Sequence, residues 1–139
     1  MDGSVIFLVI AIVIVGVLVF VGITLSQKRS HAFNKEKYQT KWLSIENSLK
    51  KGSPATYNVT VLEADKLLDH AMVEMGIHGK TMGERLKHSG GRFSHLNAVW
   101  GAHKLRNQIA HEVDCQISYE QARRALRALR QALKDLGAV

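Results

Sequence analysis

The sequence predicts an all-α protein in which one N-terminal transmembrane helix precedes a small helical bundle. Three observations carry this reading. Residues 5–25 hold no charged side chain, whereas every Lys and Arg lies at position 28 or beyond. The remainder shows apolar residues recurring at three- and four-residue intervals, with no alternating strand pattern. Gly residues and the one proline, Pro54, fall between these periodic stretches, where helices stop and start. The mean hydropathy of −0.05 is therefore the average of an oily segment and a polar one.

Length narrows the choice further. Of 139 residues, 88 lie beyond position 51. That is enough for one small helical core and too few for a two-domain catalyst; the split into an oily and a polar part excludes a simple soluble α/β enzyme. The single cysteine, Cys115, excludes an intrachain disulfide and a multi-cysteine zinc site. No cofactor and no metal is expected.

The oily run of residues 5–25, VIFLVIAIVIVGVLVFVGITL, would span about 31 Å as a helix, close to the hydrocarbon thickness of a bilayer. A cleaved signal peptide predicts a basic start, a shorter apolar run and a small-residue cleavage site. Here the run follows Met1-Asp2-Gly3-Ser4 and ends in Ser26-Gln27-Lys28-Arg29, so an uncleaved anchor over residues 4–26 is expected. Charge is negative before it and positive after it. The positive-inside rule then puts the N-terminus outside and the C-terminal part in the cytoplasm of a single-pass cell-membrane protein. Gly16 and Gly22 lack GxxxG spacing, so the span carries no dimer signal.

Residues 27–51 hold seven basic and two acidic side chains. Within them Tyr38, Trp42, Ile45 and Leu49 form one helical stripe. Two readings stay open. A basic juxtamembrane helix can lie on anionic lipid, with Lys28, Arg29, Lys35, Lys37 and Lys41 at the surface and Trp42 at the interface. Equally, the segment can be the first helix of the bundle, with a solvated basic face.

The bundle is expected over residues 54–137. Gly52 ends one helix; Ser53 and Pro54 open the next, which runs to about Met75 and is expected to bury Val61, Ala64, Leu68, Ala71 and Met75. Gly79-Lys80-Thr81 is no phosphate-binding loop, because the required earlier glycine is Glu74 and no strand precedes it. Thr81 and Glu84 have capping-box spacing and open a short helix to about His88. Ser94 is expected to cap a helix reaching His111, with Trp100 in the core. Ser118 and Gln121 have the same capping-box spacing before the last helix. Its Ala122, Leu126, Leu129, Leu133 and Leu136 make a regular apolar stripe beside a basic one of Arg123, Arg127, Arg130 and Lys134. The basic stripe could follow a phosphate backbone, but such a charge run is more often only a solvated face.

Residues 103–112, HKLRNQIAHE, hold the most specific pattern in the chain. Arg106, four intervening residues and His111, with Asn107 after the arginine, resemble the RN…H signature of the HEPN superfamily of helical bundles. The helix order over residues 54–136 resembles that family too, with Glu63 and Asp65 on a long helix before the motif and an amphipathic helix after it. The chain is thus similar to a small, membrane-anchored bacterial member. The resemblance implies metal-independent RNA cleavage at a site shared across a homodimer.

The chemistry suits those residue types. A ribose 2′-hydroxyl attacks the adjacent phosphate, so one oxygen loses a proton and another gains one. An imidazole exchanges protons near neutrality, the role expected of His111. A guanidinium stays charged and can hold two phosphate oxygens, the role expected of Arg106, with Asn107 orienting. Asn107 and His111 are four apart and share a helix face, whereas Arg106 and His111 are about 140° apart, so a second subunit is expected to unite them. Glu63, Asp65 and His103 are expected in support. The alternative is a non-catalytic scaffold: Arg106 pairs with Glu63 or Asp65, and the same residues brace the fold or bind a protein partner. In both readings the bilayer is a partner; RNA is one only in the first.

Overall fold

The computed structural model describes residues 2–27 and 34–139, and its described elements are all helical. The chain divides into two compact units, Met1–Ala32 and Phe33–Val139.

The first unit holds α1, Gly3–Gln27. Its stretch Gly3–Ile23 is long and apolar enough to cross a membrane, and none of it is buried against protein. Phe7 and Phe20 stand open by 77% and 68%, apolar surface that water would not leave uncovered. Lys28 and Arg29, expected at the membrane surface, lie outside the described residues.

The second unit contains α2 (Lys35–Ser48), α3 (Pro54–Glu74), α4 (Met82–Lys87), a 3-10 turn at Gly90–Arg92, α5 (Leu96–His111) and α6 (Tyr119–Asp135). Helix α3 packs chiefly against α6, with α2 and α5 also against it; α5 packs on α6, and α4 lies beside α5. Val61, Leu68 and Met72 from α3 meet Val99 from α5 and Leu129 and Leu133 from α6 in one core. Each such aliphatic side chain contributes about 1.5–3 kcal/mol on burial.

Helix α2 settles the choice left open by the sequence. Tyr38 and Trp42 are each 3% exposed and belong to the core, with Ile45 and Leu49 packed beside them. The apolar stripe is consumed by the bundle, so Trp42 is not at a lipid interface, and residues 35–48 are no separate juxtamembrane helix. Lys35, Lys37 and Lys41 remain exposed. Burial and the Glu74 carboxylate, to which its hydroxyl donates, push the Tyr38 phenol far above its ordinary pKa.

Helix α6 follows its sequence closely. Ser118 accepts from the Gln121 N–H, and the Gln121 side chain accepts from the Ser118 N–H, a complete capping box. The leucine stripe is buried; Arg123, Arg127, Arg130 and Lys134 are exposed. Gly137 at φ 75° closes the helix, as Ala138 N–H bonds back to the Leu133 carbonyl at 2.9 Å.

Two expected caps differ. Ser53 occupies the cap position of α3, but its side chain makes no capping bond. Ser94 does not cap α5, because the helix opens one residue later, at His95. Instead the Ser94 N–H and hydroxyl both donate to Asp135 at the end of α6, each at 2.8 Å. Trp100 is half-buried rather than in the core.

Candidate functional site

Helices α3, α4 and α5 enclose an open cleft of about 1040 Å³. Its floor is a closed ring of four polar side chains, two helices contributing. Asp65 comes from the buried face of α3; His103, Arg106 and Asn107 come from adjoining turns of α5. His103 Nδ1 lies 3.1 Å from Asp65 Oδ1, and Asn107 Nδ2 lies 3.3 Å from His103 Nε2. Arg106 Nη1 donates to Asn107 Oδ1 at 2.9 Å, and Arg106 Nε closes the circuit 3.4 Å from Asp65 Oδ2.

The directions within this ring are fixed by one fact: a guanidinium only donates. Asn107 must therefore show its oxygen to Arg106 and its NH₂ to His103. The Nε2 of His103 then accepts, which leaves the ring proton on Nδ1, donated to Asp65. Asp65 is 2% exposed, and two donors compensate its buried charge. Trp100 meets the His103 ring edge-on, with centroids 6.1 Å apart.

A second, partly buried pair supports the far wall. Arg85 of α4 donates from Nε to Asp69 Oδ1 at 2.8 Å and from Nη1 to the Gly79 carbonyl at 2.6 Å. The two aspartates are thus matched by two arginines. Lys66, Lys80, Lys87 and Lys104 also line the cleft and make no ion pair among the described residues. Glu63 and Glu84 are the remaining carboxylates, so an excess of positive charge faces the opening.

Most of the residues singled out by the sequence converge here. Arg106, Asn107, His103 and Asp65 share the ring, and Glu63 sits exposed on the rim without touching Arg106. Positions 63 and 65 differ by about 200° around a helix, so only one can face inward. His111 does not join them. It is the last residue of α5, exposed, and outside the cleft lining. It shares a helix face with Asn107, as the spacing predicts, but lies one turn further on at the helix end, and the α5 residues lining the cleft stop at Asn107. The four lysines, the Asp69–Arg85 pair and Gly83 were not picked out from sequence. The i, i+4 spacing of Asp65 and Asp69 was the available sign that one face of α3 is acidic.

The arrangement can attract an anion and hold phosphate oxygens, and it contains an imidazole oriented by a carboxylate. Comparison with family models, curated proteins and solved structures gives no match, so the HEPN resemblance rests on the residues of this chain alone.

Proposed function

We propose that the protein is a single-pass membrane-anchored, HEPN-like module whose cytoplasmic bundle acts as a homodimer on RNA, as a metal-independent endoribonuclease. The cleft carries this reading: four lysines that make no ion pair among the described residues line it around the Arg106 ring, a surface suited to a phosphate chain. Arg106 would clamp the scissile phosphate and Asn107 would orient it. His111 would exchange a proton from a second copy, since within one chain it lies outside the cleft. The exposed Lys35, Lys37 and Lys41 leave α2 a basic surface for anionic lipid. The charge asymmetry about α1 supports the N-out orientation.

The test is cleavage of labelled single-stranded RNA by the full chain in nanodiscs with a chelator present. Activity should survive the chelator and vanish in both Arg106→Ala and His111→Ala. Wild-type protein that leaves the RNA intact would sink the enzymatic reading. A second reading, a non-catalytic scaffold, is favoured by the Arg106–Asp65 contact, which occupies the phosphate clamp internally. It predicts RNA left whole and a bundle weakened when the ring is broken.

A further inference from the structure

Cleavage through a 2′-hydroxyl needs two proton transfers, and the motif Arg106–His111 supplies one imidazole. We propose that His103, held by Asp65, is the second: the base that takes the 2′-hydroxyl proton. The proposal rests on the ribonuclease reading above and names a catalytic residue which that reading lacks.

The geometry of the cleft floor carries it. His103 Nδ1 is oriented by a carboxylate that is itself almost fully buried, so the ring cannot swing away. His103 lines the cleft while only 8% exposed, and its unprotonated Nε2 faces the Asn107 amide and Gly83. That nitrogen's sole hydrogen-bond partner among the described residues is the Asn107 amide at 3.3 Å, a long contact that an incoming hydroxyl can replace. The wall facing Nε2 is Gly83, where a Cβ would sit 3.9 Å from that nitrogen and 3.7 Å from Trp100 Cη2. A side chain there would narrow the approach, and glycine leaves it open. Arg106, one turn along the same helix, places a cation beside the point where the attacked phosphate would lie.

The step balances without a cofactor. The 2′-hydroxyl gives its proton to His103 Nε2, and its oxygen forms a bond to phosphorus. The bond from phosphorus to the 5′ oxygen breaks, and its electron pair leaves with that oxygen. His111 of a second copy supplies the proton this oxygen needs. The products are a 2′,3′-cyclic phosphate and a 5′-hydroxyl.

A base and an acid are separated by a substrate with sulfur in place of the 5′ bridging oxygen, since a thiolate leaves without protonation. The full chain in nanodiscs is assayed on both substrates, with RNA binding measured by anisotropy and folding by thermal melt. His103→Gln should cut cleavage of both by about 10²–10⁴-fold while still binding RNA. His111→Ala should lose the oxygen substrate and recover the sulfur one. The wild-type pH–rate profile should be a bell whose acidic limb is absent in His103→Gln. Should that variant not fold, Gly83→Val, which keeps all four ring residues, should bind RNA yet cleave slowly. Wild-type rates in His103→Gln or Gly83→Val overturn this assignment and leave the ribonuclease reading standing. A wild type inert on both substrates overturns the two together.

Discussion

His103 and Asp65, 38 positions apart in the chain, meet at 3.1 Å on the floor of the cleft and tie α5 to α3. The carboxylate serves two donors, because Arg106 approaches its other oxygen. Asp65→Ala should therefore cost more than one hydrogen bond. It leaves the buried His103 without its acceptor and Arg106 without its counter-charge, about 2–4 kcal/mol in all. Asp65→Asn, which keeps shape and one acceptor, should cost less. Urea unfolding of the two variants checks the order, and a double-mutant cycle with Arg106→Ala should show coupling.

Trp42 offers a sharper contrast. Its ring is buried, and its indole N–H has no hydrogen-bond partner among the described residues. An unmet buried donor is a cost that the aromatic packing outweighs. Trp42→Phe removes the donor and keeps much of the ring, so stability should change by less than about 1 kcal/mol. Trp42→Ala should lose about 3–5 kcal/mol. Both are read from denaturant midpoints. In bilayers with brominated lipid, Trp42 emission in a Trp100→Phe background should stay unquenched; quenching would put Trp42 in the lipid and not in the bundle core.

The same residue shows what the sequence could and could not tell. Its stripe at Tyr38, Trp42, Ile45 and Leu49 announced an apolar helix face correctly, but periodicity is blind to whether protein or lipid covers that face. Helix α6 was fully legible, since its cap, both stripes and its terminal glycine are all local signals. The cleft was legible on α5 and, through Asp65, on α3, but not on α4. Arg106, Asn107 and His103 lie within one motif, whereas Asp69 pairs with Arg85 across 16 positions, and nothing in local spacing encodes that. Helix periodicity put His111 on the face of Asn107 but could not show that the cleft lining ends before it. Ser94 misled because a serine before a helix looks like a cap, and here Asp135 on a distant helix took its donors.

Asp135 predicts a pH effect. Partial burial disfavours its charge, but the Ser94 N–H, the Gln131 amide, the Ser94 hydroxyl and nearby His95 outweigh this and lower its pKa. A carboxylate lowered on folding contributes stability above its unfolded pKa, and that stability is lost as pH falls through the folded value. Wild type should therefore exceed Asp135→Asn in melting temperature at neutral pH. The gap should close on acidification below the ordinary aspartate range. A gap that widens in acid would contradict this assignment. The site is largely solvated, so the effect is small.

Gly79 and Gly76 give the last prediction, because they separate backbone conformation from contact. Both have positive φ, 148° and 69°. At Gly76, which closes α3, an added Cβ meets nothing within 4 Å, so Gly76→Ala bears conformational strain alone, about 1 kcal/mol. At Gly79 the same Cβ would stand 2.6 Å from the Arg85 backbone nitrogen and 2.9 Å from the Glu84 carbonyl carbon. Backbone cannot yield as a flexible side chain does, so the first turn of α4 must shift. That shift pulls Arg85 from the Gly79 carbonyl and from Asp69 and opens one wall of the cleft. Gly79→Ala should cost about 2–4 kcal/mol, clearly more than Gly76→Ala, and should speed amide exchange in α4 while α6 stays protected. Equal losses at the two glycines would mean that the close approach of residues 79 and 85 does not hold the cleft wall.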